Sequence, residues 1–388
     1  MLKKKKSLMI IWDNPKNYLN IIFTAKQLSR YYTENHILCY QADKQFHGRI
    51  DFGKSKVFAF NSKIINKFNF IKIFLFFFFC FFHVLKFRPD IFIGYNTHGI
   101  SISFILSRLF KKKIFISHNF DFQNLDNYSG FLQKILFKLE LFAARKSNLV
   151  ILPNKSRATI YTKIAKLKKH AEYMHNAYPL NFKIKNKEFL LRYLKKRNIK
   201  YKKIIIRLGH QGPHHGIENL IKSSLYWKGK YLLILAGNSN EEYFYKLKEL
   251  IKNTRAENKV ILFGSVTYKV WYDILSSSDL GICLYEKAVL SHNHMESTSQ
   301  KLNNYLLANI PIVTNNNLDF LKFYKKYKCT ILANPTNPKS IAKAINKAFF
   351  NEKFYRILSN NSKLAFKEKI NFDIEFRRIF INKILKFS

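Results

Sequence analysis

Acidic side chains are scarce in this chain of 388 residues: 24 Asp+Glu stand against 68 Lys+Arg, a formal net charge of +44. Cysteine is scarcer still. Cys39, Cys80, Cys283 and Cys329 lie far apart, with no CxxC pair and no Cys/His cluster. That spacing argues against a disulfide framework or a zinc site and fits a reducing compartment. With 12 Gly and 8 Pro, collagen-like and low-complexity classes are excluded as well. No long apolar leader opens the chain: after the starting lysines the apolar stretch runs only from Leu8 to Trp12. A signal peptide needs more, so a cytoplasmic protein is expected. The longest apolar run, Ile73–Phe82, supplies ten residues between Lys72 and His83. A membrane span needs about 20, so a buried helix and an interfacial helix both stay open.

What is abundant points to a folded, basic protein. Hydrophobic residues make up 47% and aromatics 16%, with 38 Phe and 22 Tyr, which excludes a disordered basic tail. The length implies two or three domains, each with its own core. The charge calls for an anionic partner: nucleic acid, an acidic membrane face or a phosphorylated substrate. Part of it is compositional background, since Lys, Asn, Ile and Phe are abundant together, as an AT-rich coding sequence would give.

Short apolar runs alternate with helix-like stretches along the whole chain. In the first half the predicted strands are Leu8–Asp13, His36–Gln41, Val57–Asn61, Asp90–Asn96, Lys113–Asn119, Leu149–Asn154 and Glu172–Asn176. In the second half they are Ile204–Gly209, Leu232–Gly237, Val260–Gly264, Leu280–Tyr285, Ile310–Thr314 and Thr330–Asn334. The runs are continuously apolar, as in parallel strands covered on both faces, and their alternation with helices reads as βαβ units. The expected architecture is α/β: two tandem Rossmann-like, doubly wound domains with a cleft between them. The first is residues 1–178; residues 179–200 form a linker, and 201–371 form the second. The tail from Ala365 reads as one basic amphipathic helix with Phe376, Ile379, Phe380 and Leu385 on a stripe, its last part, 372–388, packing back on the first domain.

Ligands of such sheets bind beyond the carboxyl ends of the strands. There the second half carries Gly209-His-Gln-Gly-Pro-His-His-Gly216 running into a helix, which offers backbone N–H groups and a positive dipole end to a phosphate. It is neither a Walker loop nor GxGxxG. The adjacent His214 and His215 point apart and no carboxylate or cysteine supports them, so neutral donors are expected rather than a metal site. Further on, Ser297, Thr298 or Ser299 is placed to N-cap a helix with Lys301 in its first turn. A lysine there opposes the helix dipole unless an anion joins it.

In sequence order, Val260-Ile-Leu-Phe-Gly264, Tyr272–Tyr285 and Ser299-Gln-Lys-Leu-Asn-Asn-Tyr-Leu-Leu-Ala-Asn-Ile-Pro-Ile-Val313 resemble bacterial retaining glycosyltransferases of the two-Rossmann (GT-B) architecture, and more narrowly their family 4, or group 1. His215-Gly-Ile-Glu-Asn-Leu-Ile221, Arg88-Pro-Asp-Ile-Phe-Ile-Gly94, His118-Asn-Phe-Asp121 and Ser147–Ala158 extend the likeness over nearly the whole chain. The resemblance implies a nucleotide-diphosphate sugar, UDP- or GDP-linked, as donor substrate, with no cofactor. Lys301 and the helix end at Ser299, with Leu302, would face the diphosphate. Gly209 and Gly212 would admit it closely, with His210 and His215 standing where the family has an Arg/Lys pair. Gly237 and Asn238 would border the base. His118 would reach the donor sugar, and Asn96, His98, Asn119, Asp121 and Asn154 are the acceptor-side candidates. The family's paired carboxylates fall on Glu296 and Asn304, so the one that usually holds the ribose is an amide here. His118, Glu296 and Lys301 are thus the catalytic candidates. No Asp-x-Asp triplet occurs, so a metal-bridged diphosphate is not expected.

The function this implies is transfer of a hexose, metal-independent and with retention, to a lipid-linked, lipopolysaccharide or capsule acceptor at the inner face of the cytoplasmic membrane. The anionic membrane surface would be a peripheral partner. The alternatives are a sugar-nucleotide epimerase, an inactive homologue of the same fold, and a nucleic-acid-binding protein. The last lacks any helix-turn-helix, zinc-finger or RNP-like motif.

Overall fold

In the computed structural model, residues 5–40, 51–61, 69–111, 114–120, 130–184, 188–286, 294–296 and 298–385 are described. The chain divides into two compact units, Met1–Asn176 with Phe372–Ser388, and Ala177–Asn371.

The first unit is a seven-stranded sheet. In chain order it runs β1 (Lys6–Ile11), α1 (Leu19–Leu28), β2 (Glu34–Tyr40), β3 (Lys56–Phe60), α2 (Asn69–Phe87), β4 (Ile91–Tyr95), α3 (Asn96–Leu109), β5 (Ile114–His118), α4 (Phe131–Lys146), β6 (Leu149–Leu152), α5 (Lys155–Ile164) and β7 (Glu172–Tyr173). The strand order is β3-β2-β1-β4-β5-β6-β7, all pairs parallel. Every strand expected in this half is present; β1, β2 and β3 begin one or two residues earlier, at Lys6, Glu34 and Lys56, and the carboxyl ends are trimmed where the loops begin. One core layer joins Leu8, Ile10, Leu38, Phe92 and Phe115 of the sheet to Phe76, Cys80 and Val84 of α2 and Ile100 and Leu106 of α3. Filling both faces of a strand is what continuous apolar runs require, and each fully buried side chain contributes about 1.5–3 kcal/mol.

The second unit repeats the plan with six strands. They are β8 (Lys203–Leu208), β9 (Tyr231–Ala236), β10 (Val260–Leu262), β11 (Leu280–Cys283), β12 (Ile312–Asn315) and β13 (Thr330–Ala333), in the order β10-β9-β8-β11-β12-β13. The first helices of this unit are α6 (Glu188–Lys196), α7 (Ile217–Ser223), α8 (Glu241–Asn253) and α9 (Tyr268–Ser276). All pairs are again parallel. In both sheets the chain winds outward one way from the first strand and then the other, the doubly wound pattern. The abundant asparagine has a structural use. Asn154, Asn240, Asn317, Asn337 and Asn351 each cap a helix by accepting from its first-turn N–H groups, a contact worth about 1 kcal/mol apiece.

Two segments differ from the sequence expectation. The stretch read as a linker contains α6, whose first N–H groups at Phe189 and Leu190 donate to Asp273 and whose Leu190 and Leu194 are buried. The tail is not one helix from Ala365. The helix Glu352–Glu368 stops where the Asn371 side chain donates to the carbonyls of Phe366 and Lys367, both at 3.0 Å. A new turn, Phe372–Phe376, then leads into a π-helical segment, Arg377–Ile384. That last piece packs Phe372 against Phe23 of α1 and Phe376 against Tyr31. Buried Glu375 pairs with His175 at 2.7 Å and with Arg378, while Glu172 pairs with Arg378 and Lys383.

Candidate active site

β8 and β11 are neighbours, yet the chain departs from them toward opposite edges of the sheet, which opens a crevice at their carboxyl ends. The loop after β8 turns at Gly209, φ +104°, over which Lys301 lies: a Cβ there would stand 3.0 Å from the lysine Cε. Beside it Gly237, φ +147°, closes on the same loop, and a Cβ on it would fall 2.1 Å from the Gly209 carbonyl oxygen. Gln211 ties the loops together, its amide donating to the carbonyls of Gly237 and Phe263 and its backbone N–H to that of Asn238.

The second wall is the helix Gln300–Leu307. Ser299 occupies the N-cap position but does not cap; its hydroxyl is engaged with Tyr285 Oη at 2.7 Å and contacts Cys283. Ser297 lies outside the described residues, and Thr298 precedes the cap. The helix therefore presents its first turn without side-chain acceptor, positive end outward, with Lys301 on it. Lys301 Nζ donates to Tyr285 Oη at 3.3 Å and lies over that ring.

A second cation lies beneath. Arg207 projects from β8, 1% exposed, and donates to the carbonyls of Gly209 at 2.9 Å and His210. Its Nη2 is buried with no hydrogen-bond partner among the described residues. Among the described residues no carboxylate pairs with Arg207 or Lys301. Burial lowers both pKa values, and the neighbouring guanidinium pushes Lys301 further, to about 7. Packing around the ammonium sets the sign of that shift, although part of the lysine side chain remains exposed. His210 is lowered too, by burial first and then by the two cations, against the raising effect of its hydrogen bond to Asn238; it is neutral at pH 7. Two close cations without a counter-ion are costly in a protein interior, and an anion at this helix end would relieve that cost.

The structure thus gathers Gly209, His210, Gly212, His215, Gly237, Asn238, Ser299 and Lys301 around one spot. The His215 ring stands 5.6 Å from both the His210 and Tyr285 rings. Two of the expected positions lie deeper. Leu302 is wholly buried in the core, so only its backbone N–H remains at the helix end. Asn304 is also fully buried, and its Oδ1 accepts from Tyr178 Oη at 2.7 Å. Glu296 is partly buried in the segment leading to the helix.

In the first unit His118 ends β5. It is fully buried against Tyr95 and Phe120, both ring nitrogens lack a partner among the described residues, and burial drops its pKa to about 3. Three acceptor-side candidates hold loops together. Asn96 accepts from Phe120 N–H, Asn119 donates to Glu140, and Asn154 caps α5. His98 stacks on Trp12, and Asp121 lies outside the described residues. Sequence reading missed Arg207, Tyr285, Gln211 and Glu140. Glu140 is a fully buried carboxylate taking hydrogen bonds from Thr97, Asn119 and Tyr161, its pKa raised by burial against those bonds. Arg207 had a signal: one charge inside a run of strand residues covered on both faces.

Residues 192–365 match the family model described as Glycosyl transferases group 1. That range takes in nearly all of the second unit, and the chain is an enzyme of the glycosyltransferase class. No curated protein matches the sequence. Among solved structures the chain is similar to Anabaena HepE in complex with UDP and glucose, with TM-score 0.75, 14% identity, and 99% of this chain and 100% of that one covered. It is similar to a glycosyltransferase from Rickettsia africae, with TM-score 0.74, 14% identity and complete coverage of both chains. It is also similar to WaaG, a glycosyltransferase involved in lipopolysaccharide biosynthesis, with TM-score 0.67, 11% identity, and 97% and 99% covered. The fold is the two-Rossmann GT-B fold.

Proposed function

We propose that this glycosyltransferase moves a hexose, with retention and without a metal, from a UDP- or GDP-sugar to a lipid-linked, lipopolysaccharide or capsule acceptor at the inner face of the bacterial cytoplasmic membrane. The observation that carries the reading is the Arg207–Lys301 pair at an uncapped helix end, with no carboxylate paired to it among the described residues. A diphosphate supplies the missing charge. The UDP held by the Anabaena relative and the lipopolysaccharide role of WaaG give the reading its substrate classes.

In this reading the reaction is electrostatic work. As the bond to the sugar breaks, charge grows on the departing diphosphate. The Lys301 ammonium, the field of Arg207 and the first N–H groups of the helix Gln300–Leu307 stabilise it without reorganising. The Gly209 and Gly237 backbones let the phosphates approach. His118 is the proposed sugar contact in the first unit, as a neutral imidazole with two nitrogens unpartnered among the described residues.

A thermal-stability screen of UDP- and GDP-sugars tests the donor assignment, because a ligand bound only by the folded state raises apparent stability. Binding of one sugar nucleotide, with turnover only when an acceptor is added, is expected. Turnover of donor alone would indicate epimerisation or hydrolysis, and no stabilisation by any sugar nucleotide would overturn the reading.

A further inference from the structure

The helix α2 is long and apolar enough to cross a membrane by length and composition, but one face of it belongs to the first unit's core. Phe76, Cys80 and Val84 are wholly buried, Trp12 packs edge-on against Phe76, and the His36 ring stacks on Phe87 at 3.7 Å. Crossing a bilayer would strip that face from the sheet. The opposite face is a row of phenylalanines at helical spacing, Phe70, Phe74, Phe78 and Phe82, with Phe74 53% and Phe82 58% exposed.

The row is not isolated. Phe81 meets Phe110 at the end of α3 at 5.7 Å, beside exposed Leu109, and Phe104 of α3 meets Phe142 of α4 at 5.7 Å. Further along α4, Ile135 and Phe131, 82% exposed, continue the apolar surface. Its charges have one sign. The exposed ionised residues of α2, α3 and α4 include Lys86, Arg108, Lys138, Arg145 and Lys146, and the single carboxylate on the three helices, Glu140, is buried. Arg145 and Lys146 stand over the Phe142 ring and Arg108 over Phe104, so cations and aromatic rings interleave.

We infer that the α2–α3–α4 face of the first unit is a docking surface for an anionic lipid bilayer, with α2 lying in the plane of the interface. Apolar rings facing one way and cations at their margin match such a surface in both chemistries: the rings enter the acyl boundary and the cations meet lipid phosphates. A protein partner would need acidic groups opposite every margin, and a second copy of this chain would bring like charges together.

The inference deepens the membrane location in the proposed function but rests on this face alone, so donor binding by the second unit is read separately. The full-length protein is floated with vesicles of phosphatidylcholine, pure or with 30 mol% phosphatidylglycerol. Preferential flotation with the anionic vesicles is expected. The variant Phe74→Ser/Phe78→Ser/Phe82→Ser should weaken partition at least about tenfold, and Lys138→Gln/Arg145→Gln/Lys146→Gln roughly a hundredfold. Both variants should keep the wild-type circular dichroism and the same stabilisation by nucleotide sugar. The inference is overturned if either folded variant floats like the wild type. It is equally overturned if neutral and anionic vesicles bind alike, or if the phenylalanine variant changes only a self-association seen by sedimentation. Should the phenylalanine variant misfold, the cation variant and addition of salt to the wild type decide the matter, since salt must release a charge-dependent complex.

Discussion

Lys301 should act as the pH gauge of donor binding. In the free protein burial and Arg207 hold its pKa near 7, against an ordinary value of 10.5. A diphosphate beside the ammonium favours the charged form, so at higher pH the protein must take up a proton to bind. The sign follows: affinity is highest below pH 7 and falls as pH rises. If the complex restored the ordinary pKa, Kd would rise roughly thirty-fold between about pH 6 and about pH 8.5, a loss of about 2 kcal/mol. Solvent access to part of the side chain makes that a ceiling. The ligand should be the nucleotide sugar rather than the free diphosphate, because the sugar ester leaves no phosphate group titrating in this range. Calorimetry in buffers of different ionisation enthalpy would show the proton uptake directly. The same shift bears on stability. Because the folded pKa is lowered, the unfolded chain binds more protons between pH 7 and 10.5, and the lysine destabilises the free protein most below pH 7. Lys301→Met should therefore raise the ligand-free Tm by a few degrees at about pH 6.5 while removing both donor affinity and its pH dependence. A wild-type Kd that changes less than about threefold over this range would refute the argument. So would a Lys301→Met protein that binds like the wild type.

Arg207→Met should weaken donor binding by at least about tenfold and move the midpoint of the remaining pH dependence above 7, because the cation that depresses Lys301 is gone; titration of binding against pH reads both effects. Asn304→Glu buries a carboxylate where Tyr178 already donates, so denaturant melts should show a loss of about 2 kcal/mol or more without tighter donor binding. A tighter complex would place Asn304 on the ribose. Gly237→Ala forces a Cβ against the Gly209 carbonyl, and a loss of about 2–3 kcal/mol, seen as a Tm lower by roughly 5–10 °C, is expected together with weakened donor binding. In the tail, burial works against ionised Glu375, but His175 and Arg378 outweigh it and hold its pKa below the usual carboxylate range. Its contribution to stability is present above the ordinary pKa of 4.5 and lost as pH falls through the folded value. Glu375→Gln should flatten that acid limb and cost about 3 kcal/mol at neutral pH, measured by denaturant melts at several pH values.

The sheets were readable because a parallel strand covered on both faces writes itself as an unbroken apolar run. Eleven of the thirteen strands follow that rule; the edge strand β3 is largely exposed and β7 is only Glu172-Tyr173, and the two doubly wound sheets follow from the alternation of strands with helices. The ends of elements were less legible, because they depend on single side chains. Asn371 stops a helix that the amphipathic stripe alone would continue, and Asp273, 84 residues away from Phe189 in sequence, fastens α6 into a stretch that reads as a linker. Ile73–Phe82 left two readings open. The structure gives each a face: Phe76 and Cys80 belong to the core, while Phe74, Phe78 and Phe82 remain outside. Composition could not separate them, since phenylalanine occurs on both faces.

At the site the legible part was the loop chemistry, glycines and a lysine at a helix start. The hidden part was the source of the second charge. The resemblance looks for cations in the loop after β8, where this chain has His210 and His215, and the structure holds His210 neutral. The charge comes instead from Arg207 on the strand below, whose guanidinium braces the loop through the Gly209 and His210 carbonyls. An arginine is fitted to that position where a lysine is not: it stays charged when buried and has several donors in a fixed fork, enough to hold two carbonyls and keep one nitrogen unpartnered among the described residues. Lys301 gives way in the same field, to about 7. The pair thus divides the work, a permanent charge that shapes the loop and a titrating one whose protonation follows the donor. Net charge cannot reveal that arrangement, because neither residue differs from its many surface counterparts until burial and the absence of a carboxylate partner among the described residues set it apart.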